Sequence, residues 1–305
     1  MNKKLLGTVA AIGALATGLA TAGLTTFAAA TNPPAQVSVV SHFEVTASAA
    51  NTEGDSVFIN NAATNGHPNA VVYASENFSV GGVCGCVVDP IPVGVWYDSG
   101  LSQWAVFQED GSAMPAGTEF NIMVVPAATS SAFVQTATAA NSASDYTLIN
   151  DSAINFNSSA ILQATSIWNP GGNGGVFDNH LIGVFYDTSA HRWGVFNEDQ
   201  SAIPAGASFN IMVGSTGSNG GKALTFSSAV ANTGLNTTYI DDPETTGNPN
   251  TVVFATPNFD PKGKGGIYDD NAIASWWNFS KEGISNLDDV NMPTGAAFNV
   301  LIFPS

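Results

Sequence analysis

The chain has 305 residues, and its 24 Asp and Glu against 7 Lys and Arg give a formal net charge of −17. A chain this negative is not expected to bind nucleic acid or an anionic membrane surface unaided, because both carry negative charge themselves. With 44% hydrophobic and 10% aromatic residues it has enough apolar surface to fold, which excludes a disordered polyanion.

The N-terminal segment, residues 1–30, has the three parts of a secretory signal peptide. Lys3 and Lys4 precede an apolar run that ends near Phe27, and a stretch of small residues then ends at Ala30. We expect cleavage near Ala30 and a secreted or cell-surface mature protein; a retained membrane anchor is the alternative. Later stretches are too short and too polar to span a membrane, so no span is expected in the mature chain.

A block of about 30 residues recurs at intervals of about 90 residues. It occupies residues 95–121 and 184–210, and its closing part returns at 292–299. Three copies predict three units, each long enough for a core of its own, and the third is the most divergent. The predicted segments are an extended leader at 31–40 and β repeats at 41–126, 132–214 and 222–305.

Short β-branched and aromatic runs alternate with turn residues in every unit, and no amphipathic helix pattern follows the signal-like segment. In the first unit this pattern predicts a hairpin with strands at 92–97 and 103–108 and a closing strand at 119–125. The predicted fold class is all-β, with three tandem antiparallel modules of sandwich or jelly-roll type and roughly seven or eight strands each.

The recurring block also carries a family resemblance. Gly-Val-Trp-Tyr-Asp at 94–98, Trp-Ala-Val-Phe-Gln-Glu-Asp at 104–110 and Met-Pro-Ala-Gly-Thr-Glu-Phe-Asn at 114–121 are similar to the signature of an uncharacterised domain that recurs singly or in tandem in secreted bacterial proteins. The resemblance extends over nearly all of residues 41–303 and implies an exported β-rich module, without implying any particular activity.

Aromatic residues supply the candidates for ligand binding. The recurring Trp104 and Trp193 are predicted to be core residues. Adjacent aromatic residues on a regular strand cannot both face inward, so one member of each pair is free to stack on a sugar ring. The ligand-binding candidates are Trp96, Tyr97, Phe185 and Tyr186.

Acidic and amide residues follow strands in every repeat and favour either ordinary turns or calcium binding. The candidate calcium ligands are Asp110, Asp199, Asn60, Asp151 and Asp241. No other cofactor is expected. A glycosidase would use the adjacent Glu109 and Asp110, but neighbouring strand residues point to opposite faces and cannot cooperate. No nucleophile or nucleotide-binding motif occurs, so we expect no catalytic residues and no enzyme activity.

Cys84 and Cys86 occur in the first repeat only, as Cys-Gly-Cys. A local disulfide, two thiols and a metal site are the three alternatives for this pair. Since the other repeats lack both cysteines, the pair is not part of the common fold.

The predicted function is that of a non-catalytic structural or adhesive protein of the extracellular layer. Its expected partner is a cell-surface or matrix component such as a polysaccharide, and self-association is a further expectation. A carbohydrate-binding protein that uses exposed aromatics is the alternative, and a calcium-dependent adhesin is the third hypothesis. Repeated weak sites would suit all three through avidity.

Overall fold

Each of the three repeats contributes seven β-strands in the same order. The protein is described by a computed structural model over residues 41–214 and 221–304. The predicted signal peptide, 1–30, and the predicted leader, 31–40, lie outside the described residues.

The strands of repeat one are β1 (Ser41–Thr46), β2 (Thr52–Glu53), β3 (Ser56–Ile59), β4 (Val71–Asn77), β5 (Val93–Asp98), β6 (Gln103–Gln108) and β7 (Glu119–Val125). Those of repeat two are β8 (Ala132–Thr136), β9 (Ser142–Ala143), β10 (Tyr146–Leu148), β11 (Ile161–Ile167), β12 (Ile182–Asp187), β13 (Arg192–Asn197) and β14 (Ser208–Gly214). Those of repeat three are β15 (Lys222–Ser227), β16 (Thr233–Gly234), β17 (Thr237–Tyr239), β18 (Val252–Pro257), β19 (Ile273–Trp277), β20 (Glu282–Asn286) and β21 (Ala297–Phe303). In every repeat the fourth strand (β4, β11 or β18) is followed by a short 3-10 turn, at Val80–Gly82, Pro170–Gly172 and Pro261–Gly263.

The all-β class, the hairpin and the closing strand are confirmed. β5 and β6 form an antiparallel hairpin in which Tyr97 lies opposite Trp104, and β7 has the bounds that the sequence predicts. In repeat three the corresponding pair is Trp277 and Glu282, so a glutamate stands where the other repeats have a tryptophan. Within the described residues, no helix is long and apolar enough to cross a membrane.

Each repeat is a sandwich of a three-stranded and a four-stranded half-sheet. In repeat one, β1, β7 and β4 form one half-sheet and β2, β3, β6 and β5 form the other. Apolar side chains from both halves, including Val72 and Phe120 on one side and Ile59 and Trp104 on the other, pack into one core. Alternation of inward and outward side chains along these strands explains why each half-sheet has one apolar face for this core.

The half-sheets continue from one repeat into the next, which the repeat pattern does not predict. β11 of repeat two pairs in parallel with β5 of repeat one, and β19 of repeat three pairs in parallel with β4 of repeat one. A single parallel bridge, Val184 to Asn258, joins repeat two to repeat three. The three-stranded half-sheet of each repeat therefore pairs with the four-stranded half-sheet of another repeat, and the three pairings form a cycle.

Three equivalent asparagines hold the repeats together at the centre. Asn121 Nδ2 donates to the carbonyl of Val253 at 2.9 Å, Asn210 Nδ2 to Val72 at 2.8 Å, and Asn299 Nδ2 to Leu162 at 3.1 Å. All three asparagines are fully buried. A buried amide must be hydrogen-bonded to be tolerated, so these contacts stabilise the junctions between the repeats.

The largest apolar core is shared by the three repeats. It combines side chains of repeat two with Tyr73 and Met123 of repeat one and Phe254 and Leu301 of repeat three. A common core thus exists besides the clusters within repeats one and three, and residues 41–214 and 221–304 belong to one compact unit.

Candidate functional site

The candidate site is a groove at the junction between repeats one and two. Two residues of the β5–β6 hairpin, Trp96 and Phe107, face two residues of the following repeat, Trp168 and Phe177. Asp55 and Ser56 complete the lining of a cavity of about 240 Å³. A space of this size, enclosed mainly by rings, suits a single flat ligand ring better than a large ligand.

The aromatic rings of the groove are held in fixed orientations. Trp168 and Phe177 stack with ring centroids 5.5 Å apart and planes at 25°, while Trp96 meets Trp168 edge-on at 6.2 Å. Trp96 and Trp168 are half-buried, and Phe177 remains 53% exposed. The groove is therefore an open aromatic surface on a rigid base, the kind of surface that marks an interaction site.

A glycine-rich loop from Trp168 to Asp178 places Phe177 over the tryptophan ring. The chain returns so tightly that a Cβ atom on Gly175 would lie 1.2 Å from the carbonyl oxygen of Trp168. Only glycine permits this approach. The side-chain amide of Asn169 fixes the start of the loop, because it accepts from the Tyr97 N–H and donates to the Tyr97 carbonyl, each at 2.8 Å.

A series of hydrogen-bonded side chains forms one wall of the groove. Trp96 Nε1 donates to Ser56 Oγ at 3.1 Å, and Ser56 Oγ donates to Asp55 Oδ1 at 2.8 Å. Ser56 is buried whereas Asp55 is only partly covered. The Asp55 carboxylate consequently presents acceptor oxygens beside the aromatic rings, where a ligand hydroxyl would reach them.

The other two junctions repeat the arrangement with different residues. At the junction of repeats two and three, Tyr146 and Phe185 lie edge to face at 5.3 Å, and Phe259 and Tyr268 stack at 4.2 Å. At the junction of repeats three and one, residues that include Trp276, Phe78 and Val88 line a cavity of about 200 Å³. The groove of the first junction combines two tryptophans with Ser56. The positions equivalent to Ser56 are Tyr146 in repeat two and Thr237 in repeat three.

Of each adjacent pair of ligand candidates, one aromatic residue faces the core and the other does not, as strand alternation predicts. Trp96 and Phe185 are half-buried; Trp96 lines the groove of the first junction, and Phe185 packs edge-on against Tyr146. Tyr97 and Tyr186 are instead buried, at 5% and 4% exposure, and pack edge-on against Trp104 and Trp193 in the core. The assignment of these two tyrosines as ligand-binding candidates is corrected for this reason. Both core tryptophans are buried, at 0% and 1% exposure.

The candidate calcium ligands take part in turns and surface contacts. Asp110 Oδ1 accepts from the N–H of Ser112, Asp199 Oδ1 from the N–H of Ser201, and Asp151 Oδ1 from the N–H of Ala153, each at 2.8 Å. Asp241 pairs with Lys281 Nζ at 3.1 Å, and Asn60 is an exposed residue that follows β3. Over 41–214 and 221–304, no group of three or more His, Cys, Asp or Glu side chains is close enough to hold a metal ion.

Buried carboxyl pairs lie beneath the first two junctions. Glu109 of repeat one meets Asp178 of repeat two, and Glu198 of repeat two meets Asp269 of repeat three; all four are at least nine-tenths buried. Burial, followed by the charge of Asp178, raises the pKa of Glu109 to about 8. Burial likewise raises the pKa of Glu198 to about 8 and that of Asp178 to about 6. Neither Glu109 nor Asp178 lines the groove, so the pair is not placed to act on a ligand there.

Several residues of the site could not be predicted from the sequence, because they belong to a different repeat from the residues that they contact. The partner of Glu109 is Asp178, and not the adjacent Asp110, which lies on the surface. Trp168 and Phe177 belong to a loop that the sequence shows only as glycine-rich. One sequence pattern does indicate the buried glutamate. A Cβ atom on Gly94 would lie 2.4 Å from Glu109 Oε1, so the glutamate requires glycine at this position. The two repeats with the glutamate have this glycine, whereas repeat three has Ala274 together with Leu287.

Cys84 and Cys86 form a disulfide in the loop of repeat one that corresponds to the glycine-rich loops. Both residues are exposed. The pair thus replaces glycine-rich backbone with a covalent link at one junction.

Comparison with known families gives three matches along the chain. A family model described as a domain of unknown function (DUF7452) matches residues 32–124, 94–213 and 183–302. Successive matches overlap across a hairpin and the closing strand that follows it, so one match includes strands from two repeats. Comparison with curated proteins and with solved structures finds no match.

Proposed function

The chain belongs to the DUF7452 family of domains of unknown function, and starting from that membership we propose that it is an exported, non-catalytic adhesion protein that binds polysaccharide. The observation that carries the proposal is the open aromatic groove formed by Trp96, Trp168 and Phe177 at the first junction. The segment 1–30, with its signal-peptide pattern, supports the export part of the proposal.

Sugar rings suit the groove on chemical grounds. A pyranose offers an apolar face of C–H groups to an aromatic ring and hydroxyl groups at its edge. The stacked pair of Trp168 and Phe177 provides the ring surface, and the Asp55 carboxylate lies beside it as a hydroxyl acceptor. Because the whole chain carries a formal charge of −17, neutral polysaccharides are favoured over anionic ones.

The cyclic arrangement supports adhesion rather than tight binding of one small molecule. Grooves at the junctions share one compact unit, so their relative positions are fixed. Weak sites held in this way bind a repetitive polymer with an effective concentration that a single site lacks. Catalysis and calcium have no part in the proposal, since the paired carboxyls lie beneath the grooves and the candidate calcium ligands are engaged in turns.

The experiment is binding of residues 31–305 to an array of neutral and acidic polysaccharides, followed by calorimetry with the best ligand. We expect Trp168→Ala and Phe177→Ala to weaken binding by about tenfold, since truncation of an interface aromatic costs about 1 kcal/mol or more. Leu101→Ala is the matched control, because Leu101 is an exposed apolar residue outside the groove. Unchanged binding by both groove variants, with melting temperatures equal to wild type, would remove the groove from the proposed function.

A further inference from the structure

A further cavity lies where the three repeats meet, away from the aromatic grooves. Its volume is about 90 Å³, and all three repeats contribute to its lining. Three of the wall residues are equivalent β-branched residues at the start of a hairpin strand: Val93, Ile182 and Ile273. The wall of this central cavity is therefore largely apolar and nearly three-fold repeated.

Glu76 breaks the repetition. Its side chain is only 6% exposed, and the equivalent residues of the other repeats are Ser166 and Pro257, which carry no charge. Glu76 lines the cavity, and burial, followed by the charge of Asp89, raises the pKa of its carboxyl group well above the ordinary value. A carboxyl group buried beside another acid calls for an explanation, because its removal from water without a compensating cation is costly.

Other polar groups reach the same cavity. Glu198 lines it from repeat two, with Oε2 lacking any partner among the described residues. His180 also lines it, and its Nδ1 is already engaged with Asp199 Oδ2 at 2.9 Å. The polar lining thus offers acceptor oxygens to a ligand and contains no lysine or arginine.

We propose that the central cavity is a binding site for a small molecule with a primary ammonium group, which Glu76 holds by a charge-assisted hydrogen bond. An N–H cation supplies donors and a positive charge to Glu76 and to the unpartnered Oε2 of Glu198, and such charge-assisted bonds are about twice as strong as neutral ones. The apolar wall accepts a short alkyl stem, while the volume excludes anything larger than a few heavy atoms. This site is independent of the groove and of its polysaccharide, since the two cavities share no lining residue.

The test uses calorimetry and thermal melting of the 31–305 protein with methylammonium chloride as the probe. Sodium chloride and tetramethylammonium chloride at matched ionic strength are the references, because neither offers an N–H donor. We expect saturable binding and a higher melting temperature with methylammonium alone. In Glu76→Gln, which keeps the shape of the side chain, affinity should fall about thirtyfold or more.

Two further variants make the outcome decisive. Glu53→Gln removes an equal charge from an exposed position outside the cavity and should bind methylammonium as wild type does. Ala272→Leu should block the cavity, and Leu181 at the equivalent position of repeat two shows that the fold accepts leucine there. The proposal is overturned if all three salts act alike, or if Glu76→Gln and Ala272→Leu both bind methylammonium with wild-type affinity.

Discussion

Replacement of Glu109 by glutamine should stabilise the protein at alkaline pH and leave it unchanged in mild acid. Glu109 is buried beneath the first junction against Asp178, and burial raises its pKa from an ordinary 4.5 to about 8. The folded chain therefore keeps a proton on Glu109 over a pH range in which the unfolded chain has released it. Since the native state binds more protons there, the free energy of unfolding falls as the pH rises.

The size of the effect follows from the two pKa values. Between pH 4.5 and about 8, each pH unit lowers the free energy of unfolding by about 1.4 kcal/mol for this one carboxyl. Over the whole interval the loss is on the order of 5 kcal/mol. Glutamine cannot ionise, and its amide fits the space that Gly94 leaves for the carboxyl, so Glu109→Gln removes this loss without creating a cavity.

The assay is urea denaturation followed by tryptophan fluorescence at about pH 5 and about pH 8.5. Wild type and Glu109→Gln should coincide at the lower pH, and the variant should be more stable by about 3 to 5 kcal/mol at the higher pH. Glu53→Gln, an exposed change of equal charge, controls for the acidity of the whole chain. If Glu109→Gln is instead less stable than wild type by the same amount at both pH values, Glu109 is ionised in the folded protein and the reasoning fails.

Two further predictions concern packing. Trp193→Ala should lower the free energy of unfolding by about 3 to 5 kcal/mol in urea denaturation, because Trp193 is 1% exposed in the core; a loss below about 1 kcal/mol would contradict this. Residues 132–214 expressed alone should form no stable monomer, because β11 loses its parallel partner β5 and the common core is opened. Sedimentation and amide NMR would test this, and a well-dispersed spectrum from a monomer would show that repeat two folds independently.

Features that depend on neighbouring residues along the chain could be predicted. The hairpin of β5 and β6 follows from β-branched and aromatic runs on either side of a turn at Asp98, whose side chain accepts the N–H of Gly100. Alternation also predicts that one aromatic of each adjacent pair faces outward, as Trp96 and Phe185 do. These predictions need no knowledge of which strands are distant neighbours.

Features that depend on the choice among equivalent repeats could not be predicted. Trp168 is needed to complete the groove of Trp96, but nothing in the periodic pattern says whether a hairpin meets the loop of its own repeat or that of the next. The observed arrangement is held by long-range contacts such as that of Asn210 with Val72, whose partners lie in different repeats. The role of Glu76 could not be predicted either, because a single acidic residue outside a repeated motif resembles any surface residue until its burial is known.

His42 stacks on Phe303 with ring centroids 4.7 Å apart, so the first and last strands of the described chain are in contact through these side chains. In an open array each repeat touches only its neighbours in the chain, so copies can be added or removed at an end. Here β19 pairs with β4, so the edge of β4 that an additional copy would join is already occupied. During synthesis repeat one emerges long before β19 and β21, so the outer edge of β4 stays uncovered in the meantime. Uncovered edges of this kind favour pairing with other chains, and a chain that stops short of Phe303 should therefore be more prone to aggregation than its composition suggests.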